Sequence, residues 1–197
     1  MAPRAPRRDP GRNPVLTYHT ATTLDGFLAD PDDSLDWLLR QKGGQGGSLD
    51  FDAFLSGVGA AVMGSTTYEW VVDHLRRTGE AWPYAMPCWV MTGRQLAPVE
   101  GADIRFATGD VRPVHEAMTA AAAGKDLWMV GGGDLAGQFA EAGLLDEVVV
   151  SVAPVTLGAG RPLLPRRLDL ELVETEGSGA FVCARYRVLG PLLEDRT

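Results

Sequence analysis

The sequence predicts an α/β fold, a mostly parallel mixed central sheet flanked by helices with an antiparallel C-terminal edge. Three observations predict it. Strand-like and helix-like runs alternate from Val15 to Ala153, the pattern that threads a parallel sheet. The apolar run Leu127-Trp128-Met129-Val130 stops at Gly131-Gly132-Gly133 and passes directly into a helix start. The last part of the chain is β-rich, with residues 170–174 and 181–189 set to pair around Gly177-Ser178-Gly179.

Each element follows from local chemistry. The run VLTYHTATT at 15–23 is β-branched and aromatic, hence a strand. Leu24-Asp25-Gly26 is a turn signal, Phe27-Leu28-Ala29 a short apolar extension, and residues 30–34 a loop. The glycine-rich stretch 43–47 fits either a mobile flap beside a site or a plain surface loop. Phe51, Phe54, Leu55 and Val58 recur at i, i+3, i+4 and i+7, the mark of an amphipathic helix. Residues 60–63 form a strand ending at Gly64, and a helix is expected from about Thr67 to Arg76. Strands follow at 87–91 and 104–107, then a helix near 114–123. After the triple glycine come a helix to Leu144, a turn at Asp146-Glu147 and a strand over 147–153. No internal repeat or linker interrupts residues 15–190, so one domain is expected. Residues 1–14, with Arg4, Arg7, Arg8 and Arg12 among prolines, read as a disordered basic tail, and 191–197 as a C-terminal tail.

Composition narrows the function classes. A length of 197 residues, 45% hydrophobic and 22% charged, suits one soluble domain with a sizeable core. A net charge of −8 argues against a nucleic-acid partner. No apolar run reaches the roughly 18 residues of a membrane span. Cys88 and Cys183 lie far apart in apolar runs, so two free buried thiols in a reducing, cytoplasmic compartment are expected.

Three strand ends share a chemistry. Met63-Gly64-Ser65-Thr66-Thr67-Tyr68-Glu69 offers a bare backbone and hydroxyls at a helix start, suited to a phosphate. Thr66 and Glu69 equally fit a capping box with no ligand role. Thr92-Gly93-Arg94 sets a hydroxyl, a glycine and a guanidinium after a buried strand, suited to a bidentate phosphate contact or to plain solvation. The third is the turn at Gly131, Gly132 and Gly133, whose helix continues Asp134-Leu135. It lacks the G-x-G-x-x-G spacing, which points away from a dinucleotide-binding fold of the Rossmann kind. In open α/β sheets ligands bind beyond the carboxyl ends of strands, where such turns gather.

These residues carry a resemblance. The order LDGF, MG-x-x-TYE, VMTGR, MVGGG-x-L resembles the dihydrofolate-reductase-like fold. The segment GGGDLAGQFAEAGLLDEVVVSVAPVTLGAGRPLLP is similar to the reductase domain of bacterial riboflavin biosynthesis, and most to its stand-alone members, without the deaminase domain. No His/Cys zinc-ligand set occurs, and no metal site is expected. The resemblance implies a reductase like 5-amino-6-(5-phosphoribosylamino)uracil reductase, acting with NADPH on a small heterocyclic or ribosylamino-type substrate. Its alternatives are a dihydrofolate reductase and a non-catalytic nucleotide- or flavin-binding module. By position, Gly64, Ser65, Thr66 and Thr67 would hold cofactor phosphate. Thr92, Gly93 and Arg94 would face the 2′-phosphate. Gly131 and Gly132, with Gly133, Asp134 and Leu135 behind them, would pinch the cofactor, through a cis Gly–Gly bond as in dihydrofolate reductases. Ser65 stands where the family usually has Arg, so one cationic contact is missing. Related reductases are commonly dimers, which implies a homodimer.

Hydride transfer to C=N or C=O also needs a proton, which a carboxyl of raised pKa can give. Dihydrofolate reductases carry an acid on the helix after the first strand, and Asp52 is the nearest positional match, with Asp36 second. Trp37 is the candidate stacking wall for a flat substrate. Asp50 fits a helix N-cap. His19, His74 and His115 form no triad and read as structural.

Overall fold

β1 (Leu16–Thr23) alternates residues between two buried sheet faces, and its only exposed neighbours are the turn residues that end it. A computed structural model describes residues 12–41 and 47–192 of the chain. The short β2 (Phe27–Ala29) leads through a loop to α1 (Asp36–Leu39), and α2 (Phe51–Ser56) opens on Asp50, whose side chain accepts from the Ala53 N–H at 2.9 Å. β3 (Val58–Gly64) then feeds α3 (Ser65–Thr78), which stops at Gly79 in the left-handed region. β4 (Cys88–Met91) and β5 (Ile104–Ala107) precede α4 (Val111–Ala121), capped by Asp110. β6 (Asp126–Gly131) enters α5 (Gly133–Glu141), and β7 (Glu147–Ala153), β8 (Arg161–Pro162), β9 (Leu168–Ser178) and β10 (Phe181–Pro191) complete the order.

One eight-stranded sheet runs β5-β4-β3-β6-β1-β7-β10-β9. The first six strands are parallel, while β10 pairs antiparallel with both β7 and β9. The predicted mixed sheet with an antiparallel C-terminal edge is therefore present. Both faces of the central strands are covered, which explains their continuous apolar runs. Leu16, Tyr18, Ala60, Val62, Leu127 and Met129 meet α4 and α5 through Val114, Met118, Leu135 and Phe139. On the alternate register, Ala61, Cys88 and Trp128 pack with Phe54 and Leu55, and Met63 and Val90 with Tyr68 of α3. Cys88 and Cys183 are both free and buried, as expected.

Two local expectations are corrected. Val58, expected on the helix of Phe51 and Phe54, instead begins β3 opposite Asp126, because sheet pairing overrides the helical period. α3 starts at Ser65 with Gly64 as its cap and no side-chain cap, so Thr66 and Glu69 make no capping box. Glu69 instead holds Arg94 by two bonds of 3.0 and 2.6 Å. The glycine-rich stretch 43–47 lies outside the described residues except for Gly47. Among the described residues no helix is long and apolar enough to cross a membrane.

His19 shows how the core sets a pH limit. It is 5% exposed in β1, with the rings of Phe51 and Phe54 at 5.2 and 4.6 Å. Burial, helped by the Arg185 charge, lowers its pKa from 6.5 to about 4. The unfolded chain therefore binds this proton more readily than the folded one. The stability from neutral His19 is full above pH 6.5 and is lost as pH falls from 6.5 to about 4. That loss is on the order of 3 kcal/mol. Urea unfolding at pH 7 and pH 4.5 is expected to show it, and His19→Leu should flatten the dependence. His115, whose pKa burial also lowers, contributes equally to both proteins and cancels in the comparison.

Candidate functional site

The strand order brings four turns to one edge. β5, β4, β3 and β6 are adjacent and parallel, so Thr108-Gly109, Thr92-Gly93, Gly64–Thr67 and Gly131–Gly133 all leave the same end of the sheet. They line a polar groove of about 370 Å³, with Gly64, Ser65, Thr66 and Thr67 on one side and Gly132, Asp134 and Leu135 on the other. Thr92 and Gly93 close it below, whereas the Arg94 side chain is held aside by Glu69. Thr66, Thr67, Gly132 and Asp134 also line a second, larger cleft of about 490 Å³, so the two are halves of one groove.

The polar half has the chemistry of an anion site. α3 and α5 each have a glycine at the N-cap position, Gly64 and Gly132, and neither has a side-chain cap. Their first-turn N–H groups thus remain available, and the positive ends of two helix dipoles point into the groove. Asp134 sits in the first turn of α5, where its bonds to Gln138 (2.9 Å) and Arg166 (2.9 Å) lower its pKa. The peptide bonds of the described residues are all trans, so the expected cis Gly131–Gly132 bond is absent. The close approach comes from the packing of the turn itself. A Cβ on Gly131 would lie 3.3 Å from the Thr67 hydroxyl, and one on Gly133 only 2.3 Å from the Pro162 carbonyl oxygen.

The larger half is mainly apolar. Ala21, Leu28, Leu35, Leu38, Val130 and Pro162 line it, and Trp70 forms a wall, stacked on His74 at 5.0 Å. Trp70 follows Thr66 and Thr67 by four and three residues, and that helical spacing puts all three on one face of α3. Trp37, the expected wall, is instead core: it is 3% exposed and packs with Leu49, Val149, Ala153 and Phe181.

The expected acids are not in the cleft. Asp52 is exposed beside Val58 and Lys125, where β3 and β6 begin, whereas Gly64 and Gly131 end them. A seven-residue strand puts about 20 Å between the two ends, so Asp52 cannot serve a ligand at the glycine turns. Asp36 is exposed in an outer recess that shares only Asp33, Thr66 and Trp70 with the cleft.

Sequence reasoning missed the pair that spans the cleft. Asp33 has a φ of 62° and accepts two bonds from Arg161, at 2.5 and 2.8 Å. Those bonds lower the Asp33 pKa. Arg161 is placed by Gly160, whose missing Cβ would stand 2.0 Å from the Ala29 carbonyl oxygen as β8 pairs with β2. Asp25 braces the same corner, accepting from the backbone N–H of Leu157 (3.0 Å) and Gly158 (2.7 Å). Only the doubled acids at 32–33 and the glycines at 158 and 160 hinted at this corner.

Comparison with known proteins gives these observations a context. The family model of the RibD C-terminal domain matches residues 14–183. The Bacillus subtilis (strain 168) protein YwjB, itself uncharacterized, is 31% identical over 172 residues, covering 85% of this chain and 94% of its own. A Shewanella sp. PV-4 protein named for riboflavin biosynthesis superposes with a TM-score of 0.73 at 25% identity, over 88% of this chain and 98% of its own. The Thermotoga maritima deaminase/5-amino-6-(5-phosphoribosylamino)uracil reductase gives 0.58 at 16%, over 89% and 57%. Enterococcus faecalis dihydrofolate reductase complexed with NADP(H) gives 0.51 at 13%, over 89% and 96%, a likeness of fold.

Proposed function

This chain belongs to the RibD C-terminal domain family, and from that premise we propose that it is an NADPH-dependent reductase of a small heterocyclic substrate. The observation that carries the reading is the convergence of the turns at Gly64, Thr92 and Gly131 on one groove, polar at one half and apolar at the other. The uncapped starts of α3 and α5 and the hydroxyls of Thr66 and Thr67 fit a pyrophosphate. When bound, NADPH would supply a hydride. The residues here do the rest: Gly131 and Gly132 admit a bulky ligand, Trp70 and Leu28 exclude water, and the cleft orients the acceptor. Ser65, in place of an Arg, leaves the phosphate to neutral donors, with Arg94 as the nearby cation.

The test is selectivity. Arg94→Ala is expected to weaken NADPH by about tenfold or more while leaving NADH nearly unchanged. Glu69→Gln, which frees the guanidinium, should tighten NADPH. Equal losses for both cofactors in Arg94→Ala would contradict a 2′-phosphate role. A nucleotide- or flavin-binding module without catalysis is the second reading. It is favoured by the low pKa of both carboxylates that line the cleft, Asp33 and Asp134. Oxidation of bound NADPH across a panel of C=N and C=O substrates separates the two, and dihydrofolate in that panel tests the third alternative. Two buried thiols fit the reducing cytoplasm. Homodimer formation belongs to the same reading, with exposed Leu170, Leu172 and Val182 sharing one face of the outer strands β9 and β10.

A further inference from the structure

Resting on the reductase reading, we propose that the substrate is a flat, phosphate-free heterocycle with a basic ring C=N, taken up as its protonated iminium. Three features of the cleft lead there. The walls contributed by Leu28, Leu35, Leu38 and Trp70 suit a flat apolar body. Arg161 is the one cation among the described residues lining the cleft, and its guanidinium is engaged by Asp33 through two bonds. Asp33 offsets the charge of that guanidinium, so a substrate phosphate would meet a neutralised ion pair there and not a free cation. The recess at the mouth carries Asp32, Asp33, Asp36, Glu69 and Asp73; Asp33, Glu69 and Asp73 are paired with Arg161, Arg94 and Arg76, which leaves Asp32 and Asp36 against Arg77. Arg76 is itself bonded to Asp73 at 3.1 Å. Such a mouth repels a dianion and draws a cation.

The same charges account for the proton. Hydrogen bonds hold Asp33 and Asp134 ionised, so neither carboxyl is set to donate. An iminium brings its own. Its carbon accepts the hydride and forms the new C–H bond. The C=N π pair settles on nitrogen as an amine lone pair, and NADPH is oxidised to NADP+. No proton leaves the protein in this step.

The experiment compares 3,4-dihydroisoquinoline, its N-methyl iminium and 5-amino-6-(5-phosphoribosylamino)uracil, following NADPH oxidation and, separately, NADPH binding by tryptophan fluorescence. Both imines are expected to be reduced. The rate with the free imine falls as pH rises through its own pKa, while the permanently charged iminium shows no such fall. The phosphoribosyl compound is expected to bind at least about tenfold more weakly. Asp33→Asn, which a φ of 62° tolerates, releases Arg161 and should narrow or reverse that preference. Better kcat/KM for the phosphoribosyl compound, failure of NADPH-loaded protein to reduce either imine, or an unchanged preference in Asp33→Asn would overturn the proposal alone. Absence of NADPH binding would overturn the reductase reading and this proposal with it.

Discussion

Gly133→Ala is expected to lower the thermal unfolding midpoint by roughly 6–12 °C. The added Cβ would stand 2.3 Å from the Pro162 oxygen and 2.4 Å from the Leu163 oxygen. Both are backbone atoms of the segment that carries Arg161, so no side chain can swing aside. Overpacking of this kind costs about 3 kcal/mol, and a chain of this size loses roughly 2–4 °C per kcal/mol. Calorimetry of the variant beside Gly177→Ala, whose Cβ meets nothing within 4 Å, isolates the steric effect. The control should stay near the parent. A Gly133→Ala midpoint as high as the control's would mean that the 162–163 backbone yields freely, and that the glycine is not what sets the turn against it.

Gly132→Ala is expected to do the opposite, keeping the fold and losing the cofactor. Its φ of −44° and ψ of 152° lie within about 20° of the extended region that alanine adopts, and a Cβ there meets no atom within 4 Å. The methyl instead occupies the wall shared by the polar and apolar halves of the groove. NADPH affinity should fall by about tenfold or more, with an unfolding midpoint close to the parent's. Unchanged affinity in a folded Gly132→Ala protein would remove this turn from the cofactor site.

What was legible in the sequence follows the range of the interactions. β5 and β7 have the limits expected of them, because each is a short run rich in β-branched or aromatic residues that stops at a turn, Thr108-Gly109 after β5 and Pro154 after β7. The three turns were legible because glycine and hydroxyl residues act on their own neighbours, and the parallel strand order then sets them side by side. The Asp33–Arg161 pair was not, since its partners are 128 residues apart and the acids and glycines beside them do not reveal that they meet. Trp37 and Trp70 differ only in what the fold packs against them: the first meets Phe181 and Leu49, the second faces the cleft. Asp52 was matched by its place after the first strand. The helix that carries it enters β3 at the far end of the sheet, and order along the chain does not reveal which end.

The most direct measurement is an NADPH titration followed by the fluorescence of the five tryptophans, repeated on Trp70→Phe. Saturable quenching below millimolar NADPH, largely lost when Trp70 is replaced, is the result expected of one groove formed by the turns at Gly64, Thr92 and Gly131. No saturation at millimolar NADPH would contradict it.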